Sequence, residues 1–208
     1  MPPVAHTLAS ADRRIDILKS AATAFRRRGY HGASVDEIAG ALAMTKGNLY
    51  YYFRNKEDIL FACHEYSLDV LLGLLEDVQA GTAAPDVKLR ALVRACVHLI
   101  VDELQGTALT LDLHALSPPL LRAVVARRDA FDRGVRAIIQ DGMDQGVFAP
   151  GDPKMVAFAL MGAVNWITKW FDPAGPMNAE QIGGAFADYL VGGLGKIDTR
   201  SRDPQITR

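Results

Sequence analysis

A short stretch between Thr45 and Lys56 carries the side chains best suited to bind an anionic polymer. Three consecutive tyrosines, Tyr50–Tyr52, cannot all be buried by one helix, because successive side chains point in different directions. Beside Lys46 and Lys56, tyrosine hydroxyls suit phosphate oxygens, and phosphate contacts dominate the affinity of proteins for DNA. Gly47 permits close approach of a backbone. The pattern therefore indicates nucleic-acid binding.

The residues around this stretch predict two short helices joined by a tight turn. Ser34 followed by Glu37 is the sequence of a capping box, in which the hydroxyl accepts an amide N–H and the carboxylate reaches back. Ala43–Met44 form the predicted turn, and Thr45 caps the second helix. This is the layout of a helix-turn-helix, whose second helix enters a DNA groove. The first helix has one apolar face, formed by Val35, Ile38, Ala39 and Leu42.

The second helix is predicted to be anchored through Leu49 and Phe53, which lie four residues apart on one face. Asn55, three residues before Asp58, is expected to cap the helix that follows. Lys56 then falls in the first turn of that helix, where the helix dipole disfavours a cation. We interpret this placement as a sign that Lys56 serves an anionic group, and we expect it to be exposed.

The distribution of charge along the chain favours the same interpretation. Residues 1–56 contain nine Lys and Arg against four acidic residues, a net charge of +5, although the whole chain has a net charge of −1. A basic head on an acidic body fits a polyanionic partner at one end. Two alternatives remain open at this point: a helix-turn-helix inside an ordinary helical domain, and a tyrosine run that is simply half-buried surface.

Residues 12 to 60 resemble the DNA-binding domain of the TetR family of transcriptional repressors. The residues that carry the resemblance are Ala24–Phe25, Gly29–Tyr30, Ser34–Val35, Ile38–Ala39, Thr45–Gly47, Leu49–Phe53 and Lys56–Glu57. The resemblance implies base or phosphate contacts from the second helix and from a phosphate-binding lysine at Lys56. Tyr52 stands where the family often has histidine, and Asn48 stands at a variable position. The expected DNA contacts are Ser34, Thr45, Lys46, Gly47, Asn48, Tyr50, Tyr51, Tyr52 and Lys56.

The rest of the chain predicts an all-α fold of about nine helices, because helix caps and stops recur and no alternating β pattern competes with them. The first helix is expected to run from about Asp12 to Gly29. We divide the chain into a DNA-binding domain (1–55), a helical body (56–197) and a polar tail (198–208). The resemblance implies that the body holds a ligand cavity and that its last two helices pair with a second subunit.

The apolar run Met155–Val164 is too short to cross a membrane and too hydrophobic for a solvated face. It therefore predicts a homodimer contact and no membrane partner. Ala157 and Ala163 are the small residues that we expect at the seam.

A small-molecule inducer would bind between body helices, in a cavity that is mostly apolar. Asn165–Trp166 and the residues up to Gly175 are similar to a stretch of TetR relatives that respond to acyl-coenzyme A, which implies such an inducer. Arg122, Arg127, Arg128, Arg133 and Lys169 could hold its phosphates, or could equally be surface charges. The candidate contacts, each of which could instead be plain core, are Cys96, Ile100, Thr107, Thr110, His114, Phe131, Phe158, Met161, Asn165 and Trp166.

The sequence contains no recognisable enzyme motif, and its five histidines show no metal-ligand spacing, so we expect no catalysis, no metal and no cofactor. Cys63 and Cys96 have no paired spacing and are predicted to be buried structural thiols in a cytoplasmic protein. A helical lipid-binding protein or enzyme without a DNA role is the alternative function, although it leaves the basic head unexplained.

Overall fold

The computed structural model describes residues 4–103 and 112–195, with side chains placed from 12 to 101 and from 112 to 195. Over these residues it contains eight α-helices and no strand, which confirms the all-α class. The helices are α1 (Val4–Gly32), α2 (Val35–Gly40), α3 (Lys46–Tyr52), α4 (Lys56–Ala80), α5 (Pro85–His98), α6 (Pro118–Asp144), α7 (Pro153–Trp170) and α8 (Ala179–Phe186).

The count of about nine included a short helix ending near Ala115, most of which lies outside the described residues. Its described end, Leu113–Ala115, is a single 3₁₀ turn capped by the Asp112 carboxylate. One π-helical turn, Leu99–Glu103, follows α5, and another, Ala187–Val191, follows α8.

Helix α1 begins well before the predicted start at Asp12, and its regular part stops where predicted. Gly29 has φ 69° and ψ 167°, a conformation outside the helical region that glycine adopts without a Cβ penalty. A last helical turn, ending at Gly32, lies beyond this kink. The backbone carbonyls of Tyr30, His31 and Ala33 follow directly after this kink.

Helices α1, α2 and α3 form the head around a small apolar core. Leu49 of α3 and the adjoining Phe53 are fully buried, as the sequence predicted, together with Ile17 of α1 and Ile38 of α2. Ile59 from the start of α4 is also fully buried. The core of the head is therefore closed by the first turn of the long helix that continues into the body.

Helix α4 belongs to both parts of the molecule, because it packs against α1 in the head and against α5 and α6 in the body. Its residues Leu68, Leu71 and Leu75 are buried on the body side. Helix α5 packs on α8 and on the π-helical turn that follows it, where Arg90 pairs with Asp188 at 2.7 Å between the guanidinium and carboxylate atoms. Helix α7 packs on α6 along one side and leaves its other side uncovered.

The corner between α6 and α7 is fixed by a close contact at Gly142. Its carbonyl accepts the amide N–H groups of Val147 at 2.8 Å and Phe148 at 3.0 Å. A Cβ on Gly142 would lie 2.2 Å from the buried ring of Phe148, so only glycine lets the ring pack here without displacement. This corner sets the direction in which α7 leaves α6.

Candidate nucleic-acid interface and ligand cavity

Helix α3 presents one exposed face that is polar and aromatic. The Thr45 hydroxyl accepts the N–H of Asn48 at 3.2 Å, and Leu49 fixes the rotation of the helix by its complete burial. Tyr51 is 83 % exposed and Tyr50 is 42 % exposed. The other exposed residues of this face are Lys46, Gly47 and Asn48. The structure thus brings five of the predicted DNA contacts together on one surface.

Tyr52 is less available than this face, and Ser34 is exposed but has its hydroxyl engaged in a helix cap. Tyr52 is half-buried, and its ring stands edge-on to Tyr51 with the centroids 5.2 Å apart. The Ser34 hydroxyl accepts the Glu37 N–H at 3.0 Å and so caps α2. Only this half of the capping box is made, because the Glu37 carboxylate pairs with Arg28 at 3.2 Å.

The turn between α2 and α3 depends on a residue in the left-handed region. Ala43 has φ 51°, which is uncommon for a residue with a Cβ. The turn is tied back by the N–H of Met44, which donates to the carbonyl of Ala39 at 2.9 Å. Ala43–Met44 therefore lie in the predicted turn.

An ion pair crosses the helix-turn-helix on its exposed side. The Lys46 ammonium lies 2.9 Å from the Asp36 carboxylate, and this hydrogen bond raises the pKa of Lys46. The lysine therefore keeps its positive charge over the physiological range. Because the pair is exposed, a phosphate oxygen can replace the carboxylate with little loss of free energy.

Lys56 is not the exposed residue that we expected. It is half-buried, and its ammonium donates to the carbonyls of Tyr30 at 2.8 Å, Ala33 at 3.0 Å and His31 at 3.5 Å. The same ammonium lies 4.5 Å from the centre of the Tyr30 ring. The group that Lys56 serves is thus the carbonyl-rich C-terminal end of α1, whose dipole favours a cation and offsets the unfavourable dipole of α4.

Two arginines of α1 have structural roles that the sequence did not reveal. The guanidinium of Arg13 donates to the carbonyl of Leu42 at 3.2 Å, and that of Arg14 donates to the carbonyl of Tyr52 at 3.2 Å. These contacts hold the start of the turn, at Leu42, and the end of α3, at Tyr52, against α1. No sequence signal could have found them, because the partners are 29 and 38 residues away.

A cavity of about 310 Å³ lies between α4, α6 and α7. Four predicted ligand residues line it: Phe131, Phe158, Met161 and Asn165. Leu68 and Leu71 of α4 form its apolar floor and were missed, because in the sequence they are indistinguishable from other core leucines. The remaining lining is charged and comes from α6: Arg128, Asp129, Asp132 and Arg136.

The other predicted ligand residues do not line this cavity. Cys96 and Ile100 are buried in the core, which agrees with a structural role for the thiols. His114 is exposed on the 3₁₀ turn, and Trp166 is 64 % exposed on α7. Thr107 and Thr110 lie outside the described residues.

The cations of the cavity differ from most of those that the sequence offered. Arg128 lines it, and burial lowers the pKa of Arg128 from its usual value. Arg127 instead pairs with Glu65 at 2.9 Å and with Asp69. Two unpredicted cations lie at the mouth, beside Phe158: the charged groups of Arg136 and Lys154 are 5.4 Å and 5.7 Å from the centre of its ring. Arg136 forms an ion pair with Asp132, which also lines the cavity, whereas Lys154 is exposed. Arg122, Arg133 and Lys169 are exposed and do not line the cavity.

The outward side of α7 is an apolar stripe. Its members, which we call the α7 stripe, are Met155, Phe158, Ala159, Gly162, Trp166 and Trp170, all exposed. Our choice of Ala157 as a seam residue was wrong, because it is completely buried inside the subunit; Ala163 is half-buried, and its place at a seam stays a prediction. The small residues that face outward are Ala159 and Gly162.

Two further observations bear on the class of protein. Among the side chains that are placed, no group of three or more His, Cys, Asp or Glu residues could hold a metal ion. No helix in the described part of the chain has the length and hydrophobicity needed to cross a membrane.

The role of Lys56 can be tested by removing its charge at constant size. We expect Lys56→Met to lower the free energy of unfolding by about 1–2 kcal/mol, because three carbonyls at the end of α1 lose a charged donor. Urea unfolding followed by circular dichroism measures this change. Lys46→Met is the matched control, since it removes an exposed lysine and should leave stability unchanged. Equal stability of the two variants would contradict the structural role of Lys56.

Comparison with known proteins agrees with this architecture. The family described as "Bacterial regulatory proteins, tetR family" matches residues 17–63, and "Tetracyclin repressor-like, C-terminal domain" matches residues 82–194. The transcriptional repressor KstR2 of Mycolicibacterium smegmatis is 28 % identical over 187 residues, which cover 88 % of this chain and 91 % of that protein.

Solved structures of TetR regulators superimpose on the same helices. PfmR from Thermus thermophilus has a TM-score of 0.77 and 31 % identity, covering 86 % of this chain and 99 % of that one. AibR in complex with isovaleryl coenzyme A and operator DNA has a TM-score of 0.73 and 35 % identity, covering 88 % of this chain and 97 % of that one. The helix-turn-helix head, the helical body and these similarities lead to one conclusion: the chain belongs to the TetR family of transcriptional regulators.

Proposed function

We propose that this protein is a ligand-responsive repressor that binds a palindromic operator as a homodimer in the cytoplasm and is released by an acyl-coenzyme A. The observation that carries the proposal is the exposed face of α3, which Leu49 holds outward by its own burial. A helical lipid-binding protein or an enzyme has no use for such a face. The similarity to KstR2, a repressor, favours repression over activation.

The proposed DNA contacts are the exposed residues of α3 with its cap. Lys46 and the tyrosine hydroxyls would bind phosphates, while Asn48 and Gly47 lie where a helix in the major groove meets base edges. Lys56 would support this surface by fixing α1 against α4 instead of touching DNA. The proposed boundary between the DNA-binding head and the body accordingly lies at the start of α4.

The proposed mechanism uses α4 as the connection between ligand and DNA. Lys56 at its start holds the head, and Leu68 and Leu71, about 18 and 22 Å further along the helix, line the cavity. Glu57 adds a second link, because its carboxylate accepts the N–H of Ser117 at 2.6 Å, directly before α6. A ligand that shifts α4 against α6 would therefore move the head.

In a two-fold symmetric dimer, movement of the heads would lower the affinity for the operator. A dimer must present its two α3 helices about 34–36 Å apart, one turn of DNA, or at a multiple of that distance. A ligand that binds better to a body with a different spacing must weaken operator binding by linkage. The operator and the inducer would therefore oppose each other's binding through the geometry of the dimer, although they bind at different sites.

The cavity suits an elongated ligand with an apolar part and an anionic end. The apolar part would pack among Leu68, Leu71, Phe131 and Met161. Lys154 would attract phosphates at the mouth, together with Arg136 once a phosphate replaces its partner Asp132. AibR, which binds isovaleryl coenzyme A, is a precedent among similar structures. An acyl-coenzyme A is therefore the ligand class that we propose.

Phosphate contact by Lys46 can be tested through the salt dependence of operator binding. With an operator selected from random duplexes, we expect Lys46→Met to weaken binding and to reduce the slope of log affinity against log salt by about one. Fluorescence anisotropy over a salt series measures the slope. Lys88→Met, which removes the same charge from the body, should leave the slope unchanged. Identical slopes for Lys46→Met and wild type would remove Lys46 from the interface.

The second prediction concerns the dimer. Gly162 lies at the middle of the α7 stripe, and nothing lies within 4 Å of the position of its Cβ. We expect Gly162→Arg to fold normally in the single subunit but to shift the protein to monomers, because a second copy would bury the charge. Sedimentation velocity measures the assembly, and circular dichroism checks the fold. A monomeric wild-type protein would refute the homodimer.

The third prediction concerns release. Isovaleryl- or octanoyl-coenzyme A should dissociate the protein–operator complex, whereas the free acids and coenzyme A alone should not. Met161→Trp, which fills the cavity, should still bind operator but resist release, and Val87→Trp on the exposed side of α5 should behave as wild type. Anisotropy titrations compare the variants. Release only by an unrelated amine or hydrophobic drug would exclude the acyl-coenzyme A class and leave the repressor assignment intact.

A further inference from the structure

We propose that Trp166 of the partner subunit covers the mouth of the cavity beside Phe158, so that each ligand site is built from both copies of the chain. The inference rests on the proposed homodimer and deepens it, because it assigns a ligand-binding role to a residue that lies outside the cavity of its own subunit. The indole of the partner's Trp166 is the apolar surface that would close the site over the proposed acyl group.

The starting observation is that the cavity opens on the α7 stripe. Phe158 lines the cavity and is also 51 % exposed on the outward side of α7. Asn165, about two helical turns further along the same side of α7, also lines the cavity and is exposed. Ligand sites usually bury most of the surface of their ligand. In a single subunit, an apolar group in this cavity would remain open to water at Phe158.

The second observation is the exposure of Trp166. It is 64 % exposed, and Trp170, the other tryptophan of the chain, is 46 % exposed on the same stripe. Large exposed aromatic side chains in one row mark a surface that another molecule covers. Trp166 does not line the described cavity of its own subunit, and its exposed ring is available to the cavity of a second copy.

The third observation is that the α7 stripe is self-complementary. A two-fold axis makes an isologous contact, in which residue i meets residue j and j meets i. If two antiparallel α7 helices cross at Gly162, residues equally far before and after it face each other. Phe158 then faces Trp166 of the partner subunit, and Lys154 faces Trp170 of the partner subunit.

The chemistry of these pairs is favourable. Phe158 and the partner's Trp166 form an aromatic pair, and Lys154 lies over an indole ring, the best neutral partner of an ammonium group. The smaller side chain Ala159 faces Asn165 of the partner subunit. Gly162, with open space around it, allows the two backbones to approach closely at the axis.

The ligand chemistry follows from the two walls of the completed mouth. On one side lie Phe158 and the cations Arg136 and Lys154, and on the other lies the indole of the partner's Trp166. An acyl chain would run under the indole, and an anionic carrier group would leave the cavity between the cations. A ligand bound in this way contacts both subunits and should tighten the dimer.

Mixed-chain disulfide formation tests the contact without knowledge of the ligand. One batch of protein carries Phe158→Cys and another carries Trp166→Cys; the two are mixed, allowed to exchange subunits and mildly oxidised. The native thiols do not interfere, because Cys63 and Cys96 are buried and burial raises the pKa of each to about 12. We expect several-fold more cross-linked dimer in the mixture than in either variant alone.

The fluorescence of Trp166 gives a second measurement that does not disturb the contact. Trp170→Phe leaves Trp166 as the only tryptophan. Its emission should shift to shorter wavelength as the protein dimerises and return on dilution to monomers. This readout also decides the question if either cysteine variant fails to dimerise.

The outcomes separate this inference from the proposed homodimer. A heterodisulfide together with blue-shifted emission supports the shared site. A protein that is dimeric in sedimentation, but in which Trp166 emits as an exposed indole and no heterodisulfide forms, overturns the shared site and leaves the homodimer intact. A wild-type protein that stays monomeric overturns both.

Discussion

The DNA-binding surface depends on one charged group, the ammonium of Lys56, which holds the end of α1 to the start of α4. Three backbone carbonyls at the end of α1, those of Tyr30, His31 and Ala33, accept hydrogen bonds from this ammonium. Without Lys56 they would have no charged donor. These carbonyls follow directly after the kink at Gly29. Because α1 carries the arginines that hold the start of the α2–α3 turn and the end of α3, the orientation of α3 relative to the body depends on this contact.

Helix α4 then joins two requirements that a regulator must satisfy together. Its first turn closes the core of the head through Ile59, and its later residues form the floor of the cavity through Leu68 and Leu71. A single continuous helix transmits a displacement with little loss, because its backbone hydrogen bonds resist bending. The contact between Glu57 and the N-cap of α6 provides a second connection between the same two regions.

The uncovered side of α7 would connect the proposed dimer with ligand binding. The same helix forms one wall of the cavity through Met161 and exposes two tryptophans outward. Leaving such a surface in water is unfavourable by roughly 25 cal/mol per Å² of apolar area. Burying it against a second copy would supply the affinity for dimerisation and also shape the mouth of the cavity. In that arrangement the ligand site and the subunit contact are not independent.

The sequence by itself determined the features that depend on nearby residues: the all-α class, the caps at Ser34, Thr45 and Asn55, and the buried anchors Leu49 and Phe53. These follow from helical periodicity and from hydrogen bonds that span three or four residues. Only the tertiary structure decided the partners of Lys56, the cations at Phe158 and the outward side of α7. Each depends on groups brought together from distant parts of the chain: Lys56 meets carbonyls 23 to 26 residues away, and which alanines of α7 face outward depends on how α6 packs against it. Spacing along the chain carries no record of such contacts, because the packing of whole helices determines them.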